Sequence, residues 1–152
     1  MAKYASFREL IVWQKGMDLA EGIHRATQGL PTIELWTLVA QLRRAANSIP
    51  STVAEGFSRR SGRAYRSHVA MALGSQAEVQ TQLELSGRLG LIERELVEQL
   101  QELAAEVGRL LNGLWRALTA SAVCYSVGLI AAGLGLAPWA WGLIVHGFSV
   151  LS

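Results

Sequence analysis

Apolar residues return every three to four positions through most of the first 118 residues, and four stretches carry that rhythm. In the first, Leu10, Trp13, Met17 and Ala20 form one helical stripe. Val12, Leu19, Ile23 and Ala26 form its neighbour, giving the broad apolar face of a bundle helix. Ser6 and Glu9 have the spacing of a capping box, which places the start of this helix there, and Gly29 and Pro31 end it. A second helix is predicted from about Ile33 to Phe57 with a bend at Pro50. An interior proline removes a backbone donor and clashes with the preceding turn, at about 3 kcal/mol or more, so packing must offset it. Ser58 to Gly62 is the next break. Ser61 is expected to cap a third helix whose inward positions are Val69, Leu73, Gln76, Val79, Leu83 and Leu89, with Gly90 as its stop. Gln76, polar among apolar neighbours, needs a buried partner. In the fourth helix Leu96, Leu100, Leu103, Val107, Leu110, Leu114 and Ala117 step by four and three, with Glu95, Glu98, Glu102 and Glu106 outside the seam.

Short connections at 29–33, 58–61 and 90–93 make consecutive helices antiparallel neighbours. The predicted fold is therefore all-α, an antiparallel up-and-down four-helix bundle over residues 1–118 followed by an uncharged apolar extension over 119–152. Neither a strand pattern nor an internal repeat competes with it. Of the 152 residues 51% are hydrophobic and only three are proline, which is enough for one domain with a real core. The single cysteine, Cys124, excludes an internal disulfide framework or a cysteine zinc cluster and fits a reducing compartment. The opening MAKYASFREL has no apolar signal core, so the expected location is the cytoplasm.

The net charge of +2 conceals an asymmetry. Residues 41–70 carry Arg43, Arg44, Arg59, Arg60, Arg63 and Arg66 against one carboxylate, Glu55, a local excess of +5. Residues 78–106 carry Arg88 and Arg94 against seven glutamates, a local excess of −5. Nothing after Arg116 bears a formal charge. A basic and an acidic segment of equal magnitude can meet head to tail between copies of the chain, and repeated contacts of that kind close into a ring when the rotation permits. Read alone, such runs are more often solvated helix faces.

Four blocks in the same order carry a resemblance: SFRELIVWQKGMDLA, QLRRAANSIPSTVAEG with the following RRS, ALGSQAEVQTQLELSGRLG and EVGRLLNGLWRAL. Together they resemble the four-helix-bundle proteins encoded in 23S rRNA intervening sequences, also called S23 or IVS proteins. The accessory variability proteins of diversity-generating retroelements share that architecture. The resemblance implies an antiparallel bundle assembled into a ring, commonly a homopentamer, with no enzymatic activity in the rRNA-encoded branch. In the retroelement branch it implies nucleic-acid and reverse-transcriptase binding through basic ring surfaces. The family often has Asn-Ile where this chain has Thr52 and Val53, and the tail beyond Leu118 has no counterpart in it.

Arg43, Arg44, Arg59, Arg60, Arg63 and Arg66 are the candidate nucleic-acid-binding residues, because guanidinium groups grip phosphates bidentately and stay charged at all relevant pH. The expected partner is RNA or single-stranded DNA. Arg43 and Arg44 share a narrow helix face poorly, so either phosphate binding or pairing with an interprotomer carboxylate such as Glu55 or Glu78 is open to them. Phe57 and Tyr65 are the only aromatics near this segment in sequence, which argues against sequence-specific readout. Glu21 and His24 have the E-x-x-H spacing of di-iron bundles, but one pair cannot supply such a site, and no metal or cofactor is expected. His68 among the arginines reads as an ordinary, partly exposed histidine. No phosphate loop, H-E-x-x-H or activated nucleophile is present, so the chain is not expected to be an enzyme.

The tail allows two readings. Ala120 to Ala137 approaches the about 20 residues needed to cross a bilayer, with Arg116, Trp139 and Trp141 placed as interfacial anchors. Alternatively it packs as a helix over an apolar groove or the mouth of a ring, its glycines permitting close approach. The leading expectation is a non-enzymatic ring-forming bundle that binds nucleic acid, with service as accessory to a reverse transcriptase a role open to it. The alternative is a structural or membrane-associated homo-oligomer whose arginines serve only subunit contacts.

Overall fold

The computed structural model describes residues 4–30 and 38–133, with side chains placed as far as residue 120. The chain divides into two units, Met1–Leu118 and Thr119–Ser152, and the first holds the bundle. A short 3-10 turn, Phe7–Glu9, leads into α1 (Ile11–Ala26), followed by α2 (Leu38–Ser58), α3 (Gly62–Arg88) and α4 (Arg94–Gly133). Among the described residues there is no strand.

Paired contacts fix the topology. Gly16 of α1 lies against Ile49 and Pro50 of α2, while Thr27, at the far end of α1, meets Arg43 near the start of α2. Gly56 at the end of α2 touches Tyr65 and His68 of α3, and earlier in α2 the Ser48 hydroxyl is 3.0 Å from that of Ser75. Gln76 of α3 meets Ala104 of α4, and Gly87 meets Val97. Leu100 of α4 covers Gly22 of α1, and Lys15 pairs with Glu106 at 3.4 Å. In each pair one residue number rises as the other falls, so all four neighbouring contacts are antiparallel and the helices close in the order α1, α2, α3, α4. This is the predicted up-and-down bundle.

Leu19, Ile23, Leu42, Ile49, Val53, Val69, Val79, Leu83, Val107 and Leu111 form the fully buried centre. Pro50 sits inside α2, is itself buried, and rests on the side-chain-free surface of Gly16. Its packing there offsets the lost backbone donor. The Gln76 amide finds its partner in the Ala104 carbonyl, donating at 2.9 Å into the next helix. Ser61 caps α3 by accepting from the Ala64 N–H at 3.4 Å. At the other end of α3 the Leu91 N–H reaches the Ser86 carbonyl and the Gly90 N–H reaches Gly87, both at 3.0 Å, which is a Schellman closure. It needs the positive φ of 69° that Gly90 supplies.

Three expectations are corrected. The Ser6–Glu9 pair closes the 3-10 turn rather than α1. Ser6 Oγ accepts from the Arg8 N–H, Glu9 accepts from the Ala5 N–H, and α1 begins afterwards at Ile11 without a side-chain cap. In α4 the inward stripe is rotated by about one residue. Val97, Leu100, Ala104, Val107 and Leu111 are buried, whereas Leu96, Leu103, Leu110 and Leu114 are only half-buried and Ala117 is exposed. Small residues here face the close α3 contact and larger leucines flank it, a choice that spacing alone does not reveal. Met17 and Leu89 are also exposed, Leu89 because α3 has ended before it. The bilayer-length run Ala120–Ala137 ends outside the described residues. Among the described residues no helix is long and apolar enough to cross a membrane.

A methyl group on Gly56 would lie 2.7 Å from His68 Cβ and 2.8 Å from Tyr65 Cδ2, too close for atoms anchored so near the backbone. Gly56→Ala is therefore expected to destabilise the bundle by about 1–3 kcal/mol, as overpacked cores do. A methyl on Gly16 meets only ordinary contacts at 3.4–3.6 Å. Gly16→Ala should be neutral or stabilising by up to about 1 kcal/mol through helix propensity. Urea denaturation followed by circular dichroism compares the two, and equal effects would contradict this packing.

Candidate nucleic-acid interface

The antiparallel order gathers the start of α1, the end of α2 and the start of α3 at one end of the bundle. Arg59 and Arg60 lie in the α2–α3 turn there, with Arg63 and Arg66 in the first two turns of α3. Arg43 and Arg44 sit sixteen and fifteen residues before Arg59, about 22–24 Å along α2 at 1.5 Å per residue. The six candidate arginines thus fall into a cluster of four and a distant pair.

Arg43 is half-buried and engaged. Its Nε donates to Thr27 Oγ1 at 2.8 Å and its Nη2 donates to the Thr27 carbonyl at 3.0 Å. Thr27 is wholly buried and is the C-terminal cap of α1, so this guanidinium closes a helix end whose dipole favours a cation. Arg44 is exposed and has no ion-pair partner among the described residues. Arg59 pairs with Glu55 one turn back, both largely exposed, a contact worth little to stability. The Glu55 carboxyl is held below its ordinary range chiefly by hydrogen bonding to Arg59 and then to His68. His68 Nδ1 lies 2.8 Å from the Ala64 carbonyl and must carry a proton there. Its Nε2, 3.4 Å from Glu55, becomes a donor only in the imidazolium form.

Arg60, Arg63 and Arg66 have no carboxylate partner among the described residues. Two of them stand where local energetics disfavour them. Arg60 adopts a positive φ of 51°, the left-handed conformation that a Cβ penalises by about 1–2 kcal/mol. Arg63 is the second residue of α3, whose first turn holds no acidic side chain, so its charge opposes the positive end of the helix dipole. An anion in this turn would relieve that repulsion.

Beside the cluster is an open cleft of about 860 Å³ with largely apolar walls. Tyr4 and Phe7 from the N-terminal segment, Phe57 from α2, Tyr65 from α3 and Leu118 from α4 line it, with Arg60 at its edge. Phe57 and Tyr65 meet edge to face, 6.1 Å between centroids. The Tyr65 hydroxyl is buried with no hydrogen-bond partner among the described residues, and burial pushes its pKa up to about 12. The aromatic surroundings of the arginines are richer than the local sequence indicates, because Tyr4 and Phe7 arrive from some fifty residues away. Their position just before a helix-start signal was the only sequence clue.

The E-x-x-H pair is occupied otherwise. Glu21 binds Arg25, and His24 Nε2 lies 3.2 Å from Asn47 Oδ1 across the α1–α2 contact. Among the described residues no group of three or more His, Cys, Asp or Glu side chains is placed to hold a metal ion.

These features define an antiparallel four-helix bundle with a cationic end. A family model described as 23S rRNA-intervening sequence protein matches residues 8–113, and the chain belongs to that family. In fold it is similar to a Bacteroides thetaiotaomicron protein of unknown function from the S23 ribosomal protein family, known from a crystal structure. The two are 24% identical with a TM-score of 0.65, the match covering 69% of this chain and 98% of that one. No curated protein matches the chain. The family match ends at residue 113, short of the tail.

Two stability measurements test the local strain. Arg60→Gly is expected to stabilise the bundle by about 1 kcal/mol, because glycine takes positive φ without a Cβ clash. Tyr65→Phe removes an unbonded buried hydroxyl and should also stabilise, by about 1 kcal/mol. Because folding raises the tyrosine pKa from 10.0 to about 12, wild-type stability holds below pH 10 and falls as pH rises through 12. Chemical denaturation across that window should show the tyrosine-linked part of the fall missing in Tyr65→Phe.

Proposed function

We propose that this protein is a non-enzymatic, ring-forming bundle that binds RNA or single-stranded DNA through the basic turn between α2 and α3. The observation that carries this reading is the gathering of unpaired Arg60, Arg63 and Arg66 beside Arg59, with Arg60 and Arg63 held against their local preferences. Charges maintained at such positions are accounted for by an anionic partner, and guanidinium groups suit phosphate. Arg43 drops out of the binding set in this reading, since Thr27 uses its donors. Arg44 forms at most a secondary contact.

Assembly into a homo-oligomer, with a pentamer favoured by the family resemblance, is supported by apolar side chains left on the outside. Met71 and Leu85 are 56% and 44% exposed on α3 and stand fourteen residues apart on one side, with Ser75 and Glu78 between them, so they offer two separate apolar contacts to a neighbouring copy. The opposite charge of the 41–70 and 78–106 segments favours a head-to-tail arrangement. A cytoplasmic role follows from the same reading. Within it, the chain serves either an rRNA-linked assembly or a reverse transcriptase as accessory, and the genes flanking its own decide between them.

Replacing Arg59, Arg60, Arg63 and Arg66 together by Glu should abolish binding of single-stranded RNA in a shift assay while helicity is kept. For the wild type, log affinity should fall linearly with log salt at a slope of about −0.7 per phosphate neutralised, with little sequence preference. Unchanged binding in the variant would refute the assignment. Sedimentation velocity at micromolar protein should give an oligomer, and Met71→Glu with Leu85→Glu should shift it toward monomer. A wild-type monomer would reject the ring.

A further inference from the structure

The cleft beside the arginines is a built cavity rather than a flat basic surface. Its volume, about 860 Å³, lies in the range of about 300–1,000 Å³ usual for small-ligand pockets. Four aromatic side chains line it, no carboxylate does, and Arg60 at its edge is unpaired among the described residues. Tyr65 contributes its ring, since its hydroxyl is shut off from solvent and so from anything that enters the cleft. Apolar aromatic walls and one cation describe a ligand that is planar and anionic at one end.

We propose that this cleft takes up a single unstacked nucleotide, its base among Tyr4, Phe7, Phe57 and Tyr65 and its phosphate on Arg60. Stacking engages the π-face that every base offers, so the site accepts nucleotides without strong sequence choice. Arg60 both lines the cleft and is exposed to solvent, so a base inside and a phosphate outside can be held together. This inference rests on the nucleic-acid reading and adds a preference: unpaired bases bind, and duplex of equal charge binds less well. The same chemistry is offered by a nucleotide within a strand and by a free mononucleotide.

Fluorescence anisotropy on the full chain separates the outcomes. A short single-stranded RNA is compared with an abasic strand carrying the same number of phosphates and with a duplex of matched charge. Base–aromatic stacking of about 1–3 kcal/mol predicts that the abasic strand binds roughly 5- to 150-fold more weakly. Tyr4→Ala, at an exposed position outside every helix, should narrow that ratio, whereas Tyr65→Phe, which keeps the ring, should leave it unchanged. Adenosine 5′-monophosphate at millimolar concentration is titrated in parallel. If it alone binds, and the binding is lost in Tyr4→Ala, the cleft stands with a free nucleotide as its occupant. Equal affinity for intact and abasic strands, with no binding of the mononucleotide, overturns the cleft but leaves charge-driven binding intact. Absence of binding to every probe overturns both.

Discussion

The absence of a side chain at Gly56 lets the last turn of α2 come down onto the first turns of α3, and the basic end of the molecule depends on that approach. His68 Cβ and Tyr65 Cδ2 occupy the space a methyl group would need. With the two helices so close, their connection is only a few residues long, and it must reverse direction between Ser58 and Gly62. The reversal forces one residue into the left-handed region, and the chain places Arg60 there rather than glycine. It also stacks Arg59, Arg60, Arg63 and Arg66 within little more than two helical turns. Close packing and charge concentration are consequences of the same contact.

Identical side chains take different work from their surroundings. Arg43, inside α2, and Arg60, in the turn after it, belong to the same basic segment. One meets a helix C-terminus and a threonine hydroxyl and becomes a structural clamp between α1 and α2. The other meets the edge of an aromatic cleft and keeps its donors available. Glutamates divide in the same way: Glu84, Glu55 and Glu98 are neutralised by arginines four residues away along the chain, whereas Glu106 reaches Lys15 of another helix. Most of these surface pairs sit in water and contribute little, so the bundle is held by its apolar centre and by a few buried polar links such as Gln76 to Ala104.

Much of the architecture was legible without coordinates. The glycine stop at Gly90, the Ser61 cap and the need for a partner at Gln76 follow from rules acting over three or four residues, and each has its counterpart in the folded chain. The misread elements share a cause. A capping box specifies hydrogen bonds for a turn but not which kind of turn follows, so Ser6 and Glu9 close a 3-10 turn. In α4 leucine spacing identified the apolar side but missed the innermost stripe, because alanine at 104 and valine at 97 fit the narrow approach to α3 better than leucine does.

The order of apolar and polar residues determined the helices, their antiparallel sequence and the charge of each segment, since these depend on neighbours along the chain. Which arginines remain available, where Tyr4 and Phe7 arrive, and how they form a cleft with Phe57 and Tyr65 were decided only by the tertiary structure. Those outcomes depend on distances between residues tens of positions apart, and such distances are set when helices pack, not when they form.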